Sequence, residues 1–312
     1  MHRPSLLCPT DLSEPSLAAL AYAGAVADHF GARLTVLTVE DPLLAHAAAA
    51  AGLVPSLTDQ AEEELRRACR ETFGETVTGS KRVELRVRTG KAAEEILLEA
   101  HEAATDLIVM SSQGQTGARK MFFGSTTERV LRDTTVPVLV TPPERPVSGS
   151  FTDLAHHLTR VVTPVDLTAA SERQTSVAAA IAGALAIPLL IAHVLEPIAI
   201  PARVRMALAG VDTDRRARAE DSLNELKSAI SSPRPIETLV LSGDPADEIA
   251  KLTQTLGGNL IVMGLHSSER RGRRMGSVTY RILSSTRTLV LALPPEPTPS
   301  ADAHLAGPHP GG

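Results

Sequence analysis

The chain has no tryptophan, two tyrosines and five phenylalanines among its 312 residues. Aromatic platforms on which single-stranded bases stack are therefore scarce. Cysteine is nearly absent as well: Cys8 falls in a predicted buried strand and Cys69 in a predicted helix, with neither a paired framework nor metal-like spacing. Two reduced structural thiols are the expectation. No apolar run approaches the roughly 18 residues a membrane span needs, and the alanine stretch Ala45 to Ala51 is too short. At the N-terminus only Leu6 to Cys8 is apolar before a Pro-Thr-Asp turn, which is read as no secretory signal and a cytoplasmic location. Basic charge is not in excess. Residues 1–150 carry 15 Lys and Arg against 20 Asp and Glu, and the remainder carries 16 against 16. Neither half has the surplus that nucleic acid favours, so neither nucleic acid nor a membrane is expected as partner.

Catalytic signatures are missing too. The chain contains no G-x-x-x-x-G-K-[ST] loop and no HExxH. The turns after the first strands do not read S-G-G-x-D-S, as an ATP pyrophosphatase of similar topology needs, and no H-x-G-H segment is present. Ten histidines are scattered, with His156 and His157 in a linker and His193 on a strand. Without a positioned base, nucleophile or clear metal ligand, an enzyme is not expected, and no catalytic residue or metal site is assigned.

What the chain does contain is itself, twice. LLCPTDLSEPS (Leu6 to Ser16) returns as RVVTPVDLTAAS (Arg160 to Ser171), and LTVLTVEDP (Leu34 to Pro42) as LLIAHVLEP (Leu189 to Pro197). RTGKAAEEIL (Arg88 to Leu97) answers to LSGDPADEIA (Leu241 to Ala250), and VPVLVTPPE (Val136 to Glu144) to TLVLALPPE (Thr288 to Glu296). Asp11 pairs with Asp166 at a separation of 155, Met110 with Met263 at 153, and Gly124 with Gly276 at 152. Such a drift is what two copies of one domain with a few loop deletions give.

In each copy, short Val/Ile/Leu runs alternate with longer amphipathic segments, the pattern of βαβ units. The fold expected is α/β, with two repeated domains, each an open, mainly parallel five-stranded, Rossmann-like sheet with helices on both faces. Strands are predicted near 6–9, 33–39, 83–89, 107–111 and 136–141, and near 160–164, 188–194, 236–242, 260–264 and 288–293. Helices are predicted near 15–29, 58–73, 92–103 and 125–132. The domains are read as 1–145 and 158–296, joined by a linker at 146–157 and followed by a disordered tail at 297–312. Right-handed crossovers would bring the carboxyl ends of the first and fourth strands together where strand order reverses, which is where ligands collect in open α/β sheets.

Two segments reach that place. Ser111-Ser112-Gln113-Gly114, followed by nine residues and then Gly124-Ser125, would let a glycine turn at positive φ and a helix N-terminus cradle a polyphosphate, helped by the hydroxyls of Ser125, Thr126 and Thr127. Equally, Ser125-Thr126-Thr127-Glu128 reads as a plain capping box. Pro9-Thr10-Asp11 closes the first strand; Asp11 there either accepts hydrogen bonds from a base or ribose, or it or Ser13 caps the helix that begins near Pro15. Val39 and Met110 line a base pocket or are simply core.

These same residues carry a resemblance. PTDLSEPS, GKAAEEIL, VMSSQGQTG and FFGSTTERVLRDTTVPVLV are similar to the universal stress protein family in a tandem two-domain form, across nearly all of residues 3–296. The family motif G-x2-G-x9-G-[S/T] implies an ATP-binding loop in an adenine nucleotide alpha hydrolase-like fold. The first copy keeps its spacing through Gly114, Gly124 and Ser125 but carries Ser111 where the first glycine is expected. Position by position, the resemblance implies that Asp11, with Pro9 and Thr10, holds the adenine and ribose edge. Val39 and Met110 would line the adenine, and Ser111, Gly114, Gly124, Ser125 and Thr126 would meet the phosphates of ATP, with Mg²⁺ as companion ion. A weaker second site retains Asp166, Val194, Met263, Gly264, Gly276 and Ser277, but has Ser267 for the inner glycine and a loop one residue shorter. That loop gains Arg270, Arg271, Arg273 and Arg274, which either grip phosphate or lie in solvent. The resemblance further implies that the final strands pair the two halves into an internal pseudo-dimer, with a homodimer of chains as a further association. The functions in competition are a nucleotide-dependent stress or signalling protein, an interaction scaffold that binds no nucleotide, and a slow ATPase.

Overall fold

A computed structural model describes residues 3–52, 54–74, 82–114, 124–146, 150–198, 210–265 and 275–295. The first half runs β1 (Ser5–Pro9), α1 (Glu14–Phe30), β2 (Arg33–Glu40), α2 (Pro42–Ala50), α3 (Val54–Phe73), β3 (Val83–Thr89), α4 (Ala92–Glu102), β4 (Leu107–Ser111), α5 (Ser125–Asp133) and β5 (Val138–Thr141). A short helix α6 (Phe151–His157) leads to the second half. There the order is β6 (Arg160–Pro164), α7 (Ala170–Leu185), β7 (Leu189–Leu195), α8 (Val211–Ser228), β8 (Ile236–Ser242), α9 (Pro245–Leu256), β9 (Asn259–Gly264), α10 (Ser277–Ser285) and β10 (Leu289–Leu293).

All ten strands form one sheet, in the order β3-β2-β1-β4-β5-β10-β9-β6-β7-β8. Each half is a parallel five-stranded unit, and the seam between them is antiparallel, with Val140 opposite Val290, Leu139 opposite Leu291 and Val138 opposite Ala292. The two copies therefore pair through their final strands, as the resemblance implied. The sheet is covered on both faces. Leu6, Cys8, Leu34 and Val36 pack with residues of α1, α3, α7 and α8, while Leu7, Leu37, Ile108 and Met110 pack with residues of α4, α5, α9 and α10. Burial on both faces is why β1, SLLCP, is apolar almost without interruption and buried at every position. The outermost strand β3, VELRVRT, instead alternates charge with Val and Leu, which blunts an edge that would otherwise recruit another strand.

Helix boundaries have local causes. Ser13 caps α1, its hydroxyl accepting from the Ser16 amide, and Gly31 ends the helix at φ 60°. Asp244 caps α9 by accepting from the amides of Ala246 and Asp247. Two helices depart from the sequence reading. Helix α2 occupies the alanine stretch, because alanine is the best helix former and Pro42 suits the first turn. Helix α6 lies in the stretch read as linker. Ser150 caps it by accepting from the Asp153 amide, and Phe151 stacks on His29 at 4.0 Å between ring centroids. The strand β5 begins at Val138 rather than Val136, because the Thr134 hydroxyl binds both the amide and the carbonyl of Val136 in a tight turn.

Candidate functional site

In each half the chain steps outward from the first strand to the third and returns to place the fourth beside the first on its other side. The split that results begins early. β1 pairs with β4 only at Leu6 with Leu107 and Leu7 with Ile108, and β6 with β9 only as far as Val162 with Ile261. Proline is one reason. The Thr10 amide donates to the Leu37 carbonyl of β2 at 2.8 Å, so by alternation the backbone nitrogen of Pro9 faces β4 and has no hydrogen to give. The Val165 amide likewise donates to Ala192 of β7 at 2.9 Å, which turns the nitrogen of Pro164 toward β9. Both crevices thus open at a residue that cannot continue the ladder.

The turn after β1 overhangs the first crevice. Leu12 takes a left-handed φ of 61° and its counterpart Leu167 one of 58°. A leucine pays about 1–2 kcal/mol for that conformation. Both leucine side chains pack on the core, and the Thr10 hydroxyl accepts from the Leu12 amide at 3.0 Å, which offsets the strain. The exposed Asp11 is folded toward the helix: its Oδ1 accepts from the amide of Ser13 at 3.1 Å and from its hydroxyl at 2.5 Å. Of the two capping candidates, then, Ser13 is the cap, and Asp11 orients Ser13.

The other carboxylate oxygen reaches across the crevice. A Cβ added to Gly114 would lie 2.8 Å from Asp11 Oδ2. This corrects the reason for the glycine: Gly114 is not among the positive-φ residues, and it is the close approach of the Asp11 carboxylate that a side chain there would disturb. The β1 turn and the β4 loop therefore meet through these two residues.

Gly124 closes the site from the far end of the loop. Its amide donates to the Ser112 carbonyl at 2.9 Å, and the Thr127 hydroxyl donates to the Ser111 carbonyl at 2.9 Å, so α5 starts directly against the end of β4. The capping-box reading does not hold here. The N-cap is Gly124, at φ −63° and ψ 133°, no side chain caps it, and Ser125 is the first helical residue. A Cβ added to Gly124 would lie 3.8 Å from the Gln113 Cα, next in the chain to Gly114, and exposed Ser125 and half-buried Thr126 open the helix. Ser111 is buried, and its hydroxyl accepts from the Gln113 amide at 3.2 Å. Pro9 is buried and Val39 half-buried, while Met110, 4% exposed, belongs to the core beneath the site. Residues 115–123 lie outside the described residues.

The second half repeats the frame. Asp166 Oδ1 accepts from the amide and hydroxyl of Thr168 at 3.1 and 2.6 Å and from the Ser171 hydroxyl at 3.1 Å. Gly276 is an uncapped, extended N-cap to α10 with Ser277 following, its amide donating to Leu265, and the Thr279 hydroxyl donates to the Gly264 carbonyl at 3.1 Å. Thr127, read from the sequence as a hydroxyl helping to hold phosphate, is instead buried and ties α5 to β4, and Thr279, which sequence reasoning missed, does the same in the second half. Val194 is half-buried and Met263 is in the core. Helix α10 is tethered more firmly than α5. Arg281 donates to Asp244 at 2.7 Å and Asp247 at 2.8 Å, whereas among the described residues Arg129 meets Glu94 alone, at 3.3 Å. The hydrogen bond from Arg281 holds the Asp244 carboxyl below its ordinary range. Ser267 and the four loop arginines, Arg270, Arg271, Arg273 and Arg274, lie outside the described residues, as does the tail from 297 to 312. Among the described residues no cluster of three or more His, Cys, Asp or Glu could hold a metal, and no helix is long and apolar enough to cross a membrane.

Comparison with known proteins agrees with this frame. A universal stress protein from Archaeoglobus fulgidus has a similar solved structure, at a TM-score of 0.62 and 21% identity, with 93% of this chain and 96% of that one covered. A second from Pseudomonas aeruginosa superposes at a TM-score of 0.60 and 17% identity over 94% of both chains. In sequence, a universal stress protein of Methanocaldococcus jannaschii is 30% identical over 135 residues, covering 43% of this chain and 79% of its own length. The family model for universal stress proteins matches twice, at residues 3–142 and 157–294. With the two matches falling on the two halves of the sheet, the chain belongs to the universal stress protein family, as a tandem of two such domains.

Proposed function

We propose that the protein binds ATP in its first half and that occupancy there sets a conformation or partner surface in a stress or signalling response. The observation that carries this reading is Asp11 against Gly114 at the mouth of the β1/β4 crevice, beside an α5 whose N-terminus no side chain caps. A carboxylate suits the hydroxyls of a ribose or the edge of adenine. Free first-turn amides, aligned with the helix dipole, suit phosphate oxygens. On this reading Pro9, Thr10, Asp11 and Val39 face the nucleoside, Met110 backs the adenine from below, and Ser111, Gly114, Gly124, Ser125 and Thr126 face the phosphates, with Mg²⁺ accompanying ATP. Binding rather than turnover is the proposed role; ATP consumption that disappears on substituting Asp11 or Ser125 would revise it.

An interaction scaffold that binds no nucleotide is the second reading, favoured by Ser111, whose hydroxyl already takes the Gln113 amide that a phosphate would otherwise use. Calorimetric titration of the nucleotide-free protein with ATP and Mg²⁺ separates the two. One site per chain supports the first reading, and no binding at millimolar ATP supports the scaffold.

A further inference from the structure

The two crevices differ in what fills them. Beyond the pair Val162 and Ile261 the strands β6 and β9 separate, and the side-chain amide of Gln174 spans the gap. Its Nε2 donates to the Pro164 carbonyl at 2.6 Å, to the Thr163 hydroxyl at 2.9 Å and to the Val262 carbonyl at 3.3 Å. Its Oε1 accepts from the Gly264 amide at 2.9 Å. The orientation of the amide is fixed by its partners, since the two carbonyls only accept and the Gly264 N–H only donates. The Thr163 hydroxyl adds a bond of 2.9 Å to Val262, the carbonyl that Pro164 cannot serve. Gln174 thus stands where a peptide unit of a further ladder rung would stand, and satisfies both sides of the split.

The first half has no such bridge. The helices α1 and α7 align without a gap from Asp11/Asp166 to their caps at Gly31 and Ala186, so the counterpart of Gln174 is Ala19 and that of Thr163 is Cys8. Both first-half residues are wholly buried, and neither carries an amide. Among the described residues no side chain joins the Pro9 carbonyl to the Ser111 amide. Among the described residues a small apolar pair stands where the second half has its bridge, so the first crevice holds no side-chain counterpart of Gln174.

We infer that Gln174 is a built-in occupant of the second crevice and the residue that restricts nucleotide to the first half. The restriction rests on the nucleotide reading above; the occupancy does not. Gln174 is half-buried, and an amide withdrawn from water to that degree is held by pairing its groups. A ligand competing for the strand ends must therefore first displace Gln174 from the Pro164 carbonyl, the Thr163 hydroxyl and the Gly264 amide, the longer 3.3 Å approach to Val262 sharing one of its two N–H groups.

Amide-resolved hydrogen exchange on the full chain tests this. In the nucleotide-free protein the Gly264 amide is expected to have a protection factor at least about tenfold above that of Ser111. Saturating ATP with Mg²⁺ should raise protection at Ser111 and leave Gly264 unchanged, and Gln174→Ala should bring Gly264 down to the Ser111 level. Equal protection at the two amides in nucleotide-free wild type overturns the occupancy, and this comparison needs no variant to fold. ATP-dependent protection at Gly264 overturns the restriction while leaving the nucleotide reading intact. Protection at Gly264 with no ATP effect at either amide supports the occupancy and sinks the nucleotide reading instead.

Discussion

Replacing Gly114 by alanine separates a binding glycine from a folding one. The new Cβ would stand 2.8 Å from Asp11 Oδ2, and ordinary contact begins at 3.4 Å, so the carboxylate must retreat by about 0.6 Å. Retreat stretches its two bonds to Ser13, of 3.1 and 2.5 Å. The cost to folding is small, because Asp11 is exposed and water replaces what is lost. Alanine is also conformationally acceptable at a glycine that is not left-handed, and it restricts the unfolded chain by about 0.4–1 kcal/mol in favour of folding. Net stability should change by less than about 1 kcal/mol. Binding is a different matter if Asp11 orients the ligand. Misplacing one charge-assisted hydrogen bond costs about 1.5–3 kcal/mol, or about 10- to 150-fold in affinity for ATP. Thermal melting and calorimetry on the same preparation measure both. Unchanged affinity would refute the role given to the Asp11–Gly114 contact, and a loss of several kcal/mol in stability would show that Gly114 serves folding.

Gly124→Ala is the matching control: its Cβ meets nothing closer than 3.6 Å, so the ligand-free protein should melt unchanged, and any loss of ATP affinity reports a ligand at that spot. Gly24→Ala should destabilise by about 1–3 kcal/mol in urea titration, because its Cβ would collide with the ring of Phe73 at Cε1, outweighing the usual helix gain from alanine; a more stable variant would show that Phe73 yields freely. The cysteines predict a pH dependence. Burial pushes the Cys8 thiol far up, with the neighbouring Cys69 adding to it, and burial pushes Cys69 up to about 11. Unfolded thiols ionise near pH 8.5, so above that pH the unfolded chain binds fewer protons than the folded one. Stability should then hold below pH 8 and fall as pH rises toward 11, by about 1.4 kcal/mol per pH unit for each thiol. In urea titrations at pH 7, 8.5 and 10 the Cys69→Ala variant should lose part of that slope, and an undiminished slope would assign it to other groups. Neither thiol should react with iodoacetamide in the native protein at pH 8, and rapid labelling there would contradict their burial.

Much of the frame was legible because its signals are local. The strands β3, β4, β6 and β8 fall where Val/Ile/Leu runs meet Thr, Ser, Gly or Pro, and Ser13 followed by Pro15 marks the start of α1. The pairing of β5 with β10 came from the resemblance, since a short apolar strand does not announce its partner. Helix α2 escaped because six alanines in seven residues show no periodicity, and α6 because Pro, Ser and Gly around it read as linker. Gly114 was identified for the wrong reason: its requirement comes from Asp11, which only the fold brings near. Gln174 was invisible in ASERQTSVAAA, where a glutamine between polar neighbours looks solvated. The repeat did hold the clue, because alignment sets Gln174 against Ala19 among the small residues α1 turns toward the sheet.

The loop motif alone does not explain how the halves differ, since both present a carboxylate turn with a left-handed leucine, an uncapped N-cap glycine, and a threonine that ties the following helix to the fourth strand. What distinguishes them lies under the first helix. A proline at the end of the first strand deprives the facing strand of one donor in either half, so each split leaves a carbonyl that the ladder does not serve. A parallel sheet interrupted inside its core must satisfy such groups with side chains, water or a ligand. The second half does so with Gln174 and Thr163, and tethers α10 through Arg281. The first half puts Ala19 and Cys8 at the same positions, so among the described residues no side chain there does the work of Gln174 and Thr163.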